Sequence, residues 1–195
     1  AQSFIQSYTL LKLDNPLTDQ IYAFMSSRTE FNTYQFKPVL KLLNSPFQRL
    51  LIADEVGVGK TIEAGIIYTE LKARKELERV LVVCPHALMP KWKSEMKSRF
   101  DENFEIISSE RLKYILNESS KGLDITNLKG ICSIQLLRME GYLSKLKESP
   151  LYFDLVIVDE AHHMRNKGNS YDLGECLSYK SDALIFLTAT PLQLG

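Results

Sequence analysis

An α/β fold, a mainly parallel sheet with helices on both of its faces, is what this sequence predicts. Two observations predict it. Runs rich in Val, Ile and Leu recur along the chain, at 49–53 (RLLIA), 79–84 (RVLVVC), 104–108 (FEIIS), 130–134 (GICSI), 154–159 (DLVIVD) and 183–188 (ALIFLT). Several are apolar at consecutive positions, as strands buried on both faces of a parallel sheet are. Between most of these runs lie helical patterns, at 60–76, 90–100, 108–119 and 135–149. Strand alternating with helix in this way is the pattern of parallel crossover units.

The elements follow in order. Residues 1–30 fit the alternation less well and are expected to form a flank, with one domain over 31–195. Two helical patterns, TDQIYAFMSSR and YQFKPVLKLLN, stand in front of the first core strand. The stretch RNKGNSYD at 165–172 is expected to be a polar loop. There is no internal repeat and no low-complexity segment.

The chain has 195 residues, 45% apolar and 25% charged, which is enough for one well-buried domain of ordinary globular composition. Lysine plus arginine and aspartate plus glutamate each number 24, so the net charge is zero. That balance neither supports nor excludes a nucleic-acid partner, because local patches decide it. The three cysteines, Cys84, Cys132 and Cys176, form no CxxC pair, which leaves buried core thiols rather than a zinc site or a disulfide framework. With no signal peptide and no apolar run long enough to span a bilayer, a cytoplasmic protein without a membrane partner is expected. The chain starts at alanine and stops at PLQLG, and it reads as a piece of something longer.

The segment Leu50 to Ile67, LLIADEVGVGKTIEAGII, carries the first chemistry. An apolar strand runs into a glycine loop ending Gly-Lys-Thr, and a helical segment follows. Gly57 and Gly59 let the backbone turn tightly and point N–H groups inward, and the following helix presents its positive end to the same place. Lys60 is then placed to reach β- and γ-phosphates, and the Thr61 hydroxyl to ligate magnesium. The general pattern asks for glycine at position 54, where this chain has Asp54.

A phosphate loop calls for an acidic residue at the end of a second buried strand, and DLVIVDEAHH at 154–163 supplies it. Asp159 ends the apolar run, where open α/β sheets place their ligands, and its carboxylate would hold magnesium through water. Glu160 is placed to orient and deprotonate an attacking water. His162 and His163 lack the i, i+4 spacing of a zinc motif; His162 is expected to make a polar contact with the strand carrying Thr188.

At this point the order of motifs resembles a family. YQ (34–35), ADEVGVGKT (53–61), VVCPHALMPKWKSEM (82–96), ICSIQLLR (131–138), DEAHH (159–163) and LTATPLQLG (187–195) resemble the first RecA-like lobe of superfamily two helicases, a P-loop NTPase domain. Among these the chain is similar to the SWI/SNF-type translocases and their bacterial RapA-like branch, the RNA polymerase-recycling ATPases. That branch has aspartate at the position of Asp54, which accounts for the departure from the general loop pattern. The resemblance implies ATP and Mg2+ as cofactors. The nucleotide set is Asp54, Glu55, Val56, Gly57, Val58, Gly59, Lys60, Thr61 and Ile62, with Lys60 and Glu160 catalytic and Thr61 and Asp159 on the metal. It implies that Gln35, twenty-five positions before Lys60, reads the adenine edge, since an amide both donates and accepts.

The same resemblance places His86, Ala87, Ser133 and Gln135 along a nucleic-acid backbone, and makes His162, Thr188 and Thr190 the link between nucleotide and nucleic acid. The family more often has threonine before the serine of CSIQ. Trp92 and Met96, four apart, are expected to pack against the sheet rather than stack on a base. The implied sheet order puts the strand 183–188 between 49–53 and 154–159. The implied partners are duplex DNA and, from the nearest branch, RNA polymerase. A second RecA-like lobe, which in the family supplies arginine fingers, is absent from this stretch of sequence, so the piece is expected to be a monomer that binds ATP and hardly hydrolyses it.

Three other functions stay open at this stage. A strand-separating helicase, or the motor of a restriction or phage-defence system, would share every motif. A regulatory module that holds ATP without turning it over would not need Glu160. A small-molecule kinase would need an arginine-rich lid, and none is visible.

Overall fold

The computed structural model describes residues 33–53, 59–165 and 167–189. Six strands form one sheet: β1 (Arg49–Ala53), β2 (Arg79–Cys84), β3 (Glu105–Ile106), β4 (Leu128–Ser133), β5 (Phe153–Val158) and β6 (Ser181–Thr188). Their order is β1-β6-β5-β2-β4-β3, and every pairing is parallel. The strand 183–188 therefore lies between 49–53 and 154–159, as the resemblance implied.

Among the described residues seven α-helices cover the sheet: α1 (Lys37–Leu43), α2 (Lys60–Arg74), α3 (Met89–Phe100), α4 (Ser109–Ser120), α5 (Ile134–Leu137), α6 (Glu140–Glu148) and α7 (Asn169–Tyr179). The consecutive apolar residues of the strands divide between the two faces. Val80, Val82 and Cys84 of β2 join the helices α1 to α3, while Leu81 and Val83 join α4 to α7. Residues Ala183, Ile185 and Leu187 of β6 take the first face and Leu184 the second. Alternation in space thus reads as a continuous run in sequence, because each face has its own cover. Trp92 and Met96 are buried in the first face, as expected from their spacing.

Helices α2 and α3 approach closely. A Cβ on Gly65 would lie 2.1 Å from the Phe100 ring, so only glycine admits that ring at this crossing.

Three expected boundaries are corrected. The pattern at 135–149 is two helices, broken at Arg138 and Met139. Leu137 and Leu143 are both buried in one cluster, and six residues of continuous helix would turn them roughly 120° apart; extended Met139 (φ −62°, ψ 131°) resets the phase. The expected loop 165–172 ends earlier, since α7 begins at Asn169 behind Gly168. Asp172 in its first turn favours the helix start electrostatically. In the run 104–108 the strand is Glu105 and Ile106, with the Ile107 N–H adding a bond to the Ile131 carbonyl at 2.8 Å; Phe104 is buried in the core and the Ser108 hydroxyl caps α4 by accepting from the Arg111 N–H at 3.2 Å. The flank 1–30 and the helical pattern TDQIYAFMSSR lie outside the described residues.

All three cysteines are buried and free. Burial pushes the Cys84 and Cys132 thiols up to about 12, with the charge of Asp159 adding to the effect on Cys84. Among the described residues no group of three or more His, Cys, Asp or Glu is placed to hold a metal, and no helix is long and apolar enough to cross a membrane.

Candidate nucleotide and nucleic-acid site

The strand registers set the site. Ala53 pairs with Thr188, Val158 with Phe186, Val83 with Val158, and Cys84 with Ser133. The carboxyl ends of β1, β6, β5, β2 and β4 therefore line one edge of the sheet, the edge where parallel α/β folds hold ligands. Along this edge come Thr188 on β6, Asp159 after β5, His86 after β2 and Ser133 on β4, with β1 ending at Ala53, seven positions before Lys60 opens α2.

Gly59 stands at the N-cap of α2 in the left-handed region (φ 97°, ψ 34°), a conformation that glycine adopts without a Cβ clash. Its carbonyl accepts from the Ile62 N–H at 2.7 Å and the Glu63 N–H at 3.0 Å, which closes the first turn. Gln35 is 4% exposed, and a Cβ on Gly59 would come 3.0 Å from its Nε2. The Gln35 amide and the end of the glycine loop are thus in contact, although twenty-four residues separate them in sequence. Asp54, Glu55, Val56, Gly57 and Val58 lie outside the described residues, as does Thr190.

Beyond the end of β5, the Asp159 N–H donates to the Val83 carbonyl at 2.7 Å, which continues the sheet ladder by one residue. Asp159 is 8% exposed. Its Oδ1 accepts from the Glu160 N–H at 2.9 Å and its Oδ2 from the Trp92 indole N–H at 2.9 Å. Glu160 sits in the left-handed region (φ 53°, ψ 44°), a cost of about 1–2 kcal/mol for a residue with a Cβ. Strain of this kind concentrates at functional sites. The turn throws the Glu160 side chain outward, where its Oε2 lies 3.1 Å from His162 Nδ1 without hydrogen-bond alignment. His162 and Thr188 line one shallow apolar pocket with Leu51 and Phe186, so the expected neighbourhood of His162 and β6 is present while its near polar group is Glu160.

On the other side of Asp159, His86 opens a 3-10 turn (His86–Leu88), and its N–H donates to Gln135 Oε1 at 3.1 Å. His86, Ala87 and Gln135 are exposed. Ser133 is buried, its hydroxyl capping α5 by accepting from the Leu136 N–H at 3.1 Å. A cleft of about 550 Å³ begins at Gln135 and continues past Arg138, His163 and Lys167. The Trp92 bond to Asp159 was missed by sequence reasoning. A signal for it existed: a buried indole N–H takes a partner, and the partner has to be sought.

The carboxylate of Asp159 suits a hard divalent cation. It is an oxygen donor, oriented by two neutral N–H groups, with lone pairs left on each oxygen. The tight, Cβ-free turn at Gly59 facing the helix start suits a phosphate.

These features define a RecA-like α/β domain with its ligand edge at the carboxyl ends of the strands. A family model described as SNF2-related domain matches residues 31–195. The chain belongs to this SNF2-related domain family. It is 39% identical to the RNA polymerase-associated protein RapA of Vibrio vulnificus (strain CMCP6), over 75% of this chain and 15% of that protein. It is 40% identical to RapA of Yersinia pestis (strain Pestoides F), with the same coverage. It therefore spans 15% of the length of these curated relatives. The Sulfolobus solfataricus SWI2/SNF2 ATPase core in complex with dsDNA shares the fold at a TM-score of 0.67 and 21% identity, over 87% of this chain and 34% of that one. The Sulfolobus solfataricus SWI2/SNF2 ATPase core domain shares it at a TM-score of 0.66 and 22% identity, over 90% of this chain and 34% of that one.

Proposed function

We propose that residues 31–195 form the ATP-binding lobe of a DNA-dependent ATPase that translocates on duplex DNA, with 1–30 as a flank. The observation that carries this proposal is the convergence, along one sheet edge, of the carboxyl ends of β1, β6 and β5, with Ala53 paired to Thr188 and the Asp159–Glu160 turn following β5; the Gly59–Lys60 helix start follows β1 in sequence. Membership of the SNF2-related family and the RapA relatives support the same assignment.

In this mechanism Lys60 and the loop around Gly57 and Gly59 cradle the β- and γ-phosphates, flanked by Asp54, Glu55, Val56, Val58 and Ile62. Gln35 reads the adenine. Thr61 and Asp159 would hold Mg2+, which supplies charge neutralisation to the phosphates when bound. Glu160 takes the proton of the attacking water; its carboxylate is partly exposed beside His162. His162, Thr188 and Thr190 couple this site to the nucleic acid. His86, Ala87 and Gln135 lie along the backbone, with Ser133 holding Gln135 at the start of its helix. Arg138 and Lys167 in the adjoining cleft add positive charge suited to phosphates. RNA polymerase, the partner named for the RapA relatives, is proposed as a partner of the whole protein, acting in the cytoplasm.

Hydrolysis by this chain alone should be slow. Phosphoryl transfer depends on stabilising the departing charge, and an arginine finger contributes about three to five orders of magnitude. The test is steady-state phosphate release by this chain and by the full-length protein, each with and without duplex DNA. Slow release by the chain and DNA-stimulated release by the full-length protein are expected. Fast, DNA-stimulated release by the chain alone would overturn the two-lobe mechanism.

A further inference from the structure

Trp92 is the single tryptophan of the chain and is 1% exposed on α3. A core aromatic at this spacing needs no function beyond packing. Its indole N–H, however, donates to Oδ2 of Asp159, sixty-seven positions away, at 2.9 Å. The other oxygen, Oδ1, accepts from the Glu160 N–H at 2.9 Å. Each carboxylate oxygen is thus held by one donor, which fixes the rotation of the group about its own axis and leaves the outward lone pairs open.

The chemistry of the donor matters. A lysine or arginine in this position would neutralise the carboxylate and compete with a cation for it. An indole N–H orients the group while leaving its full negative charge in a setting where Asp159 is only 8% exposed. Its bulk is rigid, with two side-chain torsions, and is packed in the same cluster as Met89 and Met96. Partners behind a metal ligand set its orientation and thereby its affinity.

We propose that Trp92 is a positioning residue that locks the Asp159 carboxylate in the orientation that receives a divalent cation. This rests on the assignment of Asp159 to the metal in the proposed function, and the experiment separates the two.

The 195-residue chain, labelled with 15N, gives one indole N–H resonance, assignable without ambiguity. That resonance should exchange slowly with water and move in Asp159→Asn. It should broaden when manganese(II) and a non-hydrolysable ATP analogue are added, and not when magnesium replaces manganese. In parallel, the affinity for manganese(II) is measured in the presence of the analogue. Trp92→Phe, which keeps an aromatic ring and removes the donor, should weaken it about tenfold while leaving the metal-free affinity for the analogue unchanged. Replacement of the indole by benzothiophene, which keeps its shape and lacks the N–H, gives the same readout should the phenylalanine variant not fold. A Trp92 that only packs would lower the melting temperature without this selective loss of metal. If Asp159→Asn weakens manganese binding and neither Trp92 variant does, or if the indole resonance ignores Asp159→Asn, the role of Trp92 is wrong. If Asp159→Asn itself leaves manganese binding unchanged, the assignment of Asp159 to the metal fails first.

Discussion

Two aspartates bracket the same strand and are used in opposite ways. Asp154, near the start of β5, accepts from the Glu78 and Arg79 N–H groups at 2.8 and 2.7 Å through a single oxygen, Oδ2. Asp159, just past the end, divides its bonds, one to each oxygen, from Glu160 and Trp92. The first ties the entry of β2 to β5. Arg49 does similar work beside it, donating to the carbonyls of Ser178 and Ser181 at 2.8 and 2.7 Å and also to that of Asp182. At the amino ends of the strands, charge is thus spent on the protein's own backbone. At the carboxyl end of β5 it is oriented through one donor per oxygen, beside a left-handed turn at Glu160. The same residue type ties the fold at one end and, in the proposed function, serves a site at the other, with a different hydrogen-bond pattern at each.

The comparison can be broken most sharply through turnover. Glu160→Gln in the full-length protein should lower ATP hydrolysis by about 10²–10⁴-fold while ATP stays bound, since general-base catalysis contributes that much. A variant that loses binding and turnover together would move Glu160 from the chemistry to the scaffold. At the opposite end of β5, Asp154→Ala should cost about 1.5–3 kcal/mol of stability in a urea melt, the worth of hydrogen bonds to a charged group. ATP affinity in the folded protein should not change; if it does, the two ends of the strand are not separable.

Smaller effects sharpen the picture of the scaffold. Gly65→Ala should cost about 1–3 kcal/mol through overlap with the Phe100 ring, offset by about 1 kcal/mol of helix propensity, so a modest net loss is expected in thermal melts. The mildest effect concerns Glu102, which bridges Lys129 at 2.7 Å and Lys72. Burial pushes its carboxyl up, but the bonds from Lys129 and Lys72 outweigh this and hold it below its ordinary value of 4.5. Its contribution to stability is therefore present above pH 4.5 and lost as pH falls through the lower native value. Glu102→Gln should flatten the acid limb of stability against pH, and an unchanged limb would count against the bridge.

Much of this was legible in the sequence, and the failures have physical causes. The runs RLLIA and RVLVVC match β1 and β2 residue for residue, and in β2 Arg79 marks where burial begins. The order of β1, β6 and β5 came from family resemblance, since parallel pairing leaves no local trace of which strands are neighbours. The break at Met139 was hidden because each half of 135–149 is a good helix by itself, and only the shared burial of Leu137 and Leu143 demands it. At the site, Lys60, Asp159 and Glu160 stood out as residue types at strand ends. The contacts of Gln35 with Gly59, of His86 with Gln135 and of Trp92 with Asp159 did not, for each joins elements distant in sequence.

The central claim is that the edge between β1 and β5 binds ATP through Lys60. Calorimetric titration of ATP in the presence of magnesium, into this chain and its Lys60→Ala variant, tests it most directly. Loss of a charge-assisted contact worth roughly 1.5–3 kcal/mol should weaken binding at least about tenfold or abolish it. Unchanged affinity in a variant that circular dichroism shows to be folded would contradict it.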